Sequence, residues 1–192
     1  MALREAGPLL GTCAALLLPA PAAAGEEPGW QQAMDRLAHE KTLAEGCVSL
    51  LETLADRDPM QRVRGRRIYA RASADANGLI ALLKADLAGD RSPAAIPELV
   101  YRLESVPKQR HALCKSVEAA VEGDIGASSE RSCAAELLIE GIAGHEMPLS
   151  DAAVQIWQAY RRAGGPEREH IIAAIEGTRW RDYAEIFGDG RR

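Results

Sequence analysis

The chain has 192 residues, with 23 Lys and Arg against 28 Asp and Glu, and a formal net charge of −5. That mild acidity argues against general nucleic-acid binding, which needs a basic field. The length suffices for one domain with a genuine core, without metal or disulfide staples.

The chain opens with "MALREAGPLLGTCAALLLPAPAAA", residues 1–24. Its apolar run, Leu9 to Leu18, is much shorter than the ~20 residues a membrane-spanning helix needs. Ala22-Ala23-Ala24 fits the small-x-small pattern before a signal-peptidase cut, so cleavage is expected between Ala24 and Gly25. The leading region is weakly basic, because Glu5 offsets Arg4. Leu10-Gly11-Thr12-Cys13 makes a poor lipoprotein box, given the Thr beside the cysteine and the short apolar run before it. The mature chain, residues 25–192, is expected to be one exported all-α domain, periplasmic or secreted. It keeps the charge of −5, since Arg4 and Glu5 leave together, and no other stretch is apolar enough to span a membrane.

Helical spacing dominates the rest, and strand alternation is nearly absent. A first long helix is expected from Trp30 to Ala55, burying Trp30, Met34, Leu37, Ala44, Val48, Leu51 and Leu54. "DRDP" ends it. Asp58 then caps a second helix with Pro59 in its first position, where a missing N–H costs nothing. This helix should reach Ala88 with Ile68, Tyr69, Ala72, Ala76, Leu79, Leu83 and Leu87 inward, although Gly78 lies within that stripe. The two would form a long antiparallel hairpin over about residues 30–88.

Five or six shorter helices are expected over about residues 93–188. "GDRSP" starts one carrying Ile96, Leu99, Val100 and Leu103, and Pro107 opens the next, with His111, Cys114, Val117 and Val121. After the loop "GDIGASS", Ser129 caps a helix holding Cys133, Leu137, Leu138 and Ile142. Ser150 begins another with Val154, Trp157 and Tyr160, and Pro166 leads into Ile171, Ile172 and Ile175. A short closing helix holds Trp180, Tyr183, Ala184 and Phe187. No residue pattern recurs between these helices, which favours an irregular bundle over a solenoid.

Two surfaces stand out. "RVRGRRIYAR" packs five arginines into ten residues, and Arg64, Arg67 and Arg71 share a narrow sector opposite the buried stripe. Arg62 and Arg66 flank the stripe on its other side. Guanidinium groups stacked one turn apart suit phosphate, sulfate or carboxylate ligands, but a charge run on a helix is more commonly a solvated face. At the C-terminus, Trp180, Tyr183 and Phe187 crowd three aromatics into eight residues. They could meet a partner groove or close the bundle by docking on its core, and docking is the commoner use.

Cleavage leaves Cys47, Cys114 and Cys133. Cys114 and Cys133 lie on consecutive helices and are the expected disulfide, with Cys47 a buried small hydrophobe among Val48, Leu50 and Leu51. His111 and Cys114, three apart, are the only spacing that hints at metal, and no second pair supports them. The pairs Glu118/Glu122 and Glu136/Glu140 share helix faces as many surface glutamates do. No nucleophile elbow, phosphate loop or haem attachment motif occurs.

The reading is therefore a non-enzymatic adaptor, inhibitor or accessory subunit without a cofactor, binding a protein or anionic envelope partner. A small-molecule or metal-binding bundle is the alternative, and a hydrolase with paired glutamates the third. N-terminal sequencing of protein recovered from the producing cells should begin at Gly25; an intact Met1 would contradict export.

Overall fold

The computed structural model describes residues 29–54, 58–90, 95–122, 135 and 147–187. Among these the secondary structure is helical: α1 Gly29–Thr53, α2 Pro59–Ala76, α3 Gly78–Leu87, α4 Ala95–Leu103, α5 Val106–Glu122, α6 Leu149–Arg162, α7 Gly165–Glu176 and α8 Tyr183–Phe187. The expected helix around Cys133 and the leader peptide lie outside the described residues.

Helix α1 is the hub of the bundle. It packs against α5 and α6 along its length and against α2 near the turn between them. Neighbours on several sides explain why its buried set, which includes Ala33, Leu37, Leu43, Cys47 and Leu51, is wider than a single amphipathic stripe. Buried side chains from α1 to α7, with Trp180 beyond them, form a continuous apolar core.

Asp58 caps α2 as its sequence predicts: its Oδ1 accepts from the amides of Met60 at 3.0 Å and Gln61 at 3.1 Å, ahead of Pro59. The second helix was expected to run unbroken to Ala88, and here the structure differs. It is interrupted at Asn77, between α2 and α3, although helical bonds persist on both sides, Asn77 N to Ser73 O at 2.9 Å and Ala81 N to Asn77 O at 3.2 Å. Gly78 admits α4: a Cβ there would stand 2.7 Å from Leu99 Cδ1. Beyond the break Leu87, expected inside, is 45% exposed at the last position of α3.

The cysteine pairing also needs correction. Cys114 is joined to Cys47, not to Cys133, with a Cα–Cα distance of 5.4 Å. The reasoning from consecutive helices fails because the chain returns α5 to the side of α1, where Cys114 meets Cys47 across their contact. Both half-cystines are fully buried. On the chain-entropy account, a bridge closing a loop of this length stabilises the fold by about 4 kcal/mol.

Seven residues towards the N-terminus of α1 from Cys47, the same two helices share a buried charge cluster. Glu40 takes Arg36 Nη1 on one oxygen at 2.9 Å and Arg110 Nε on the other at 2.6 Å. Arg36 also donates Nε to the carbonyl of Met147 at 2.9 Å, tying the segment that leads into α6 to the same point.

Close approach of α2 to this pair depends on Gly65. A Cβ at that position would sit 2.0 Å from Leu51 Cδ2 and 3.1 Å from Leu113 Cδ1, both on buried leucines. Alanine normally improves a helix by about 1 kcal/mol over glycine. At this site overpacking outweighs the gain, so Gly65→Ala should lower the unfolding free energy by about 1–2 kcal/mol in a urea titration. A stabilised variant would show that the helices are not this close.

Candidate functional site

The geometry of α2 sorts its arginines into two groups. Gly65, Tyr69, Ala72 and Ser73 face inward and are buried. Arg62 and Arg66, at the edge of that face, reach back to Glu52 at the end of α1. Arg62 Nε meets one carboxylate oxygen at 2.8 Å, and Arg66 holds both with Nε and Nη2 at 3.0 Å. The Arg66 guanidinium also lies over the Tyr183 ring, 4.4 Å from its centroid. Burial pushes the Glu52 carboxyl up, but Arg66, the Tyr183 hydroxyl and Arg62 together outweigh that and hold it below the usual carboxylate range.

Arg64, Arg67 and Arg71 form the other group. All three are exposed, and none makes an ion pair or hydrogen bond among the described residues. Arg64 and Arg71 lie seven positions apart, about 10 Å along the helix. Met60 and Val63, 80% and 48% exposed, extend the same face towards the start of α2. At its other end Arg71 enters an open cleft of about 280 Å³ between α2 and the α4–α5 turn, with Asp75, Tyr101, Arg102, Glu104 and Lys108 around it. Asp75 is partly satisfied, by Gln109 Nε2 at 3.3 Å and Arg102 Nη1 at 4.0 Å. Arg71 and Lys108 have no such partner among the described residues, and Tyr101 is 76% exposed.

The C-terminal aromatics lie elsewhere and serve the interior. Trp180 is 2% exposed, its ring centroid 5.8 Å from that of Tyr69. The Asn77 side chain pairs with the Trp180 backbone in both directions, donating to its carbonyl at 3.0 Å and accepting from its amide at 2.9 Å. Tyr69 donates its hydroxyl to the Arg181 carbonyl at 2.8 Å, and Arg181 Nη2 meets Glu45 at 2.8 Å. Tyr183 and Phe187 are half-buried, with ring centroids 4.8 Å apart, and pack on the core. Trp180 could meet a partner only by leaving that core. Asn77, the residue between α2 and α3, carries a docking role that helical spacing did not reveal.

His111 is half-buried one turn from Cys114, but the Cys114 sulfur is bonded to Cys47. It therefore supplies neither the thiolate a metal would need nor a nucleophile. Among the described residues no group of three or more His, Cys, Asp or Glu is placed to hold a metal. Glu118 pairs with Lys115, while the Glu122 side chain and Glu136, Glu140, His145 and Cys133 lie outside the described part. No helix among the described residues is long and apolar enough to cross a membrane.

No family model, curated protein or solved structure matches this chain. The division of the arginines has a direct test. Replacing Arg64, Arg67 and Arg71 together with glutamine should leave the unfolding free energy within about 0.5 kcal/mol of the parent. Arg66→Gln alone should lower it by about 1–2 kcal/mol, through loss of the forked contact with Glu52 and the ring contact with Tyr183. Equal losses in urea titrations would contradict the division.

Proposed function

We propose that this protein is exported and acts without catalysis, capturing a protein or envelope partner on the outer face of α2, as an adaptor, inhibitor or accessory subunit. The observation that carries the reading is the contrast within one helix. Arg62 and Arg66 are engaged by Glu52, whereas Arg64, Arg67 and Arg71 stand exposed in a row without partners among the described residues. A cationic row on a rigid helix favours recognition of carboxylate or phosphate groups, because the guanidinium fork is preorganised and each contact is charge-assisted. Export is supported by the Cys47–Cys114 disulfide, a bond that persists in oxidising compartments.

The alternative metal-binding reading loses its one positional argument with the thiol of Cys114. The aromatic C-terminus, occupied in docking on Tyr69 and Asn77, does not enter the proposed surface.

Site-specific photo-crosslinking in the producing cells tests the proposal. A benzophenone side chain in place of Arg67 should give a discrete adduct with one partner, and Arg64→Glu with Arg71→Glu should abolish it. The same group in place of Ala173, exposed on α7, should not give that adduct. Absence of any adduct at position 67, or the same adduct at both positions, would overturn the reading.

A further inference from the structure

We infer that the segment captured by α2 is an acidic stretch of a partner protein with apolar ends, its carboxylates opposite the arginine row and an apolar side chain seated beside Tyr101. The inference rests on the reading of this face as a docking surface and adds the chemistry of what docks. Charge complementarity carries it. Along the row and into the cleft, Arg64, Arg67, Arg71 and Lys108 have no partner among the described residues, whereas Glu104 is the one carboxylate of the cleft that none of its neighbours answers.

The apolar positions sharpen the match. Met60 and Val63 are exposed at one end of the row, and Tyr101 at the other. Met60 to Arg71 covers about 16 Å along the helix, the length of three turns of a second helix laid beside it. A ligand complementary to this layout has acidic residues in its middle and apolar ones at its ends, all on the face it turns towards α2. The cleft itself is slightly below the usual range for small-molecule pockets but adequate for one side chain. An anionic bilayer fits less well. A flat headgroup surface would bring lipid phosphates against the carboxylates of Asp75 and Glu104 as well as the row, whereas a peptide segment can set its acidic residues on the arginines alone.

The test uses the full mature chain and a fluorescein-labelled synthetic peptide of about 16 residues, with glutamates at helical spacing between terminal leucines. Fluorescence anisotropy should show saturable binding that weakens as salt rises from about 50 to 200 mM. The isosteric glutamine peptide, and the chain carrying Arg64→Gln, Arg67→Gln and Arg71→Gln, should each bind at least about tenfold more weakly. Tyr101→Ala should weaken binding several-fold while leaving the salt dependence in place, which separates the apolar seat from the charge row.

Equal binding of the glutamine peptide would overturn the inference, as would full binding by the triple variant. So would retention on phosphatidylglycerol vesicles with no binding of the acidic peptide. The crosslinking result distinguishes the two levels of the argument. An adduct at position 67 that maps to a neutral or basic segment removes the acidic ligand and keeps the docking face. Peptide binding with no cellular adduct keeps the recognition chemistry and removes the functional reading.

Discussion

Helix α1 is fastened to α5 twice, by the salt bridge from Arg110 to Glu40 and by the disulfide from Cys114 to Cys47. The rest of the structure depends on this clamp. Burying ions is expensive, and their mutual attraction offsets the cost only where the geometry satisfies both partners. Glu40 meets that condition by giving one oxygen to each of two arginines, one on its own helix and one on α5. Breaking such a buried pair from one side costs about 3–5 kcal/mol, because the remaining charge is stranded. The cluster thus opposes sliding of α1 against α5, and the disulfide seven residues further along α1 makes the same registration covalent.

With α1 and α5 fixed, α2 has one place to lie. It packs on α5 and, near the turn, on the end of α1, where Gly65 allows Leu51 and Leu113 to approach. That contact sets the rotation of α2 about its axis. Tyr69 turns inward to Trp180 and Arg66 to Glu52, and the positions opposite them, Arg64, Arg67 and Arg71, are left to solvent. The C-terminal segment reinforces this rotation from the other side, through the double hydrogen bond from Asn77 to Trp180 and the ring of Tyr183 under Arg66. The proposed binding surface is therefore a consequence of internal packing, and its rigidity comes from the core.

Much of this was legible in the sequence, for identifiable reasons. Asp58-Pro59 marks the start of α2 unambiguously, because a capping carboxylate and a residue without an N–H leave few other roles. The position of Arg64, Arg67 and Arg71 follows from helical period alone once Tyr69 and Ala72 are taken as inward. The break at Asn77 was less visible, since Asn77 and Gly78 are tolerated in a helix, and their purpose lies in contacts with Trp180 and Leu99, which are distant in sequence. The disulfide was misassigned because proximity along the chain was used as a guide to proximity in space. A better signal was present: Cys47 and Cys114 both fall on the apolar stripes of their helices. Glu40 offered a similar hint, lying between Leu37 and Ala44 at positions a buried stripe would occupy, but its partner Arg110 is 70 residues away.

The clamp between α1 and α5 is tested most directly by peptide mapping of the unreduced protein. Trypsin cutting after Lys41, Arg57, Arg110 and Lys115 isolates Cys47 in the peptide 42–57 and Cys114 in the peptide 111–115. Mass spectrometry should find these two linked, and separated on reduction. A link from peptide 111–115 to the one containing Cys133, or a free thiol at Cys114, would contradict the arrangement on which the fold and its exposed arginine row are built.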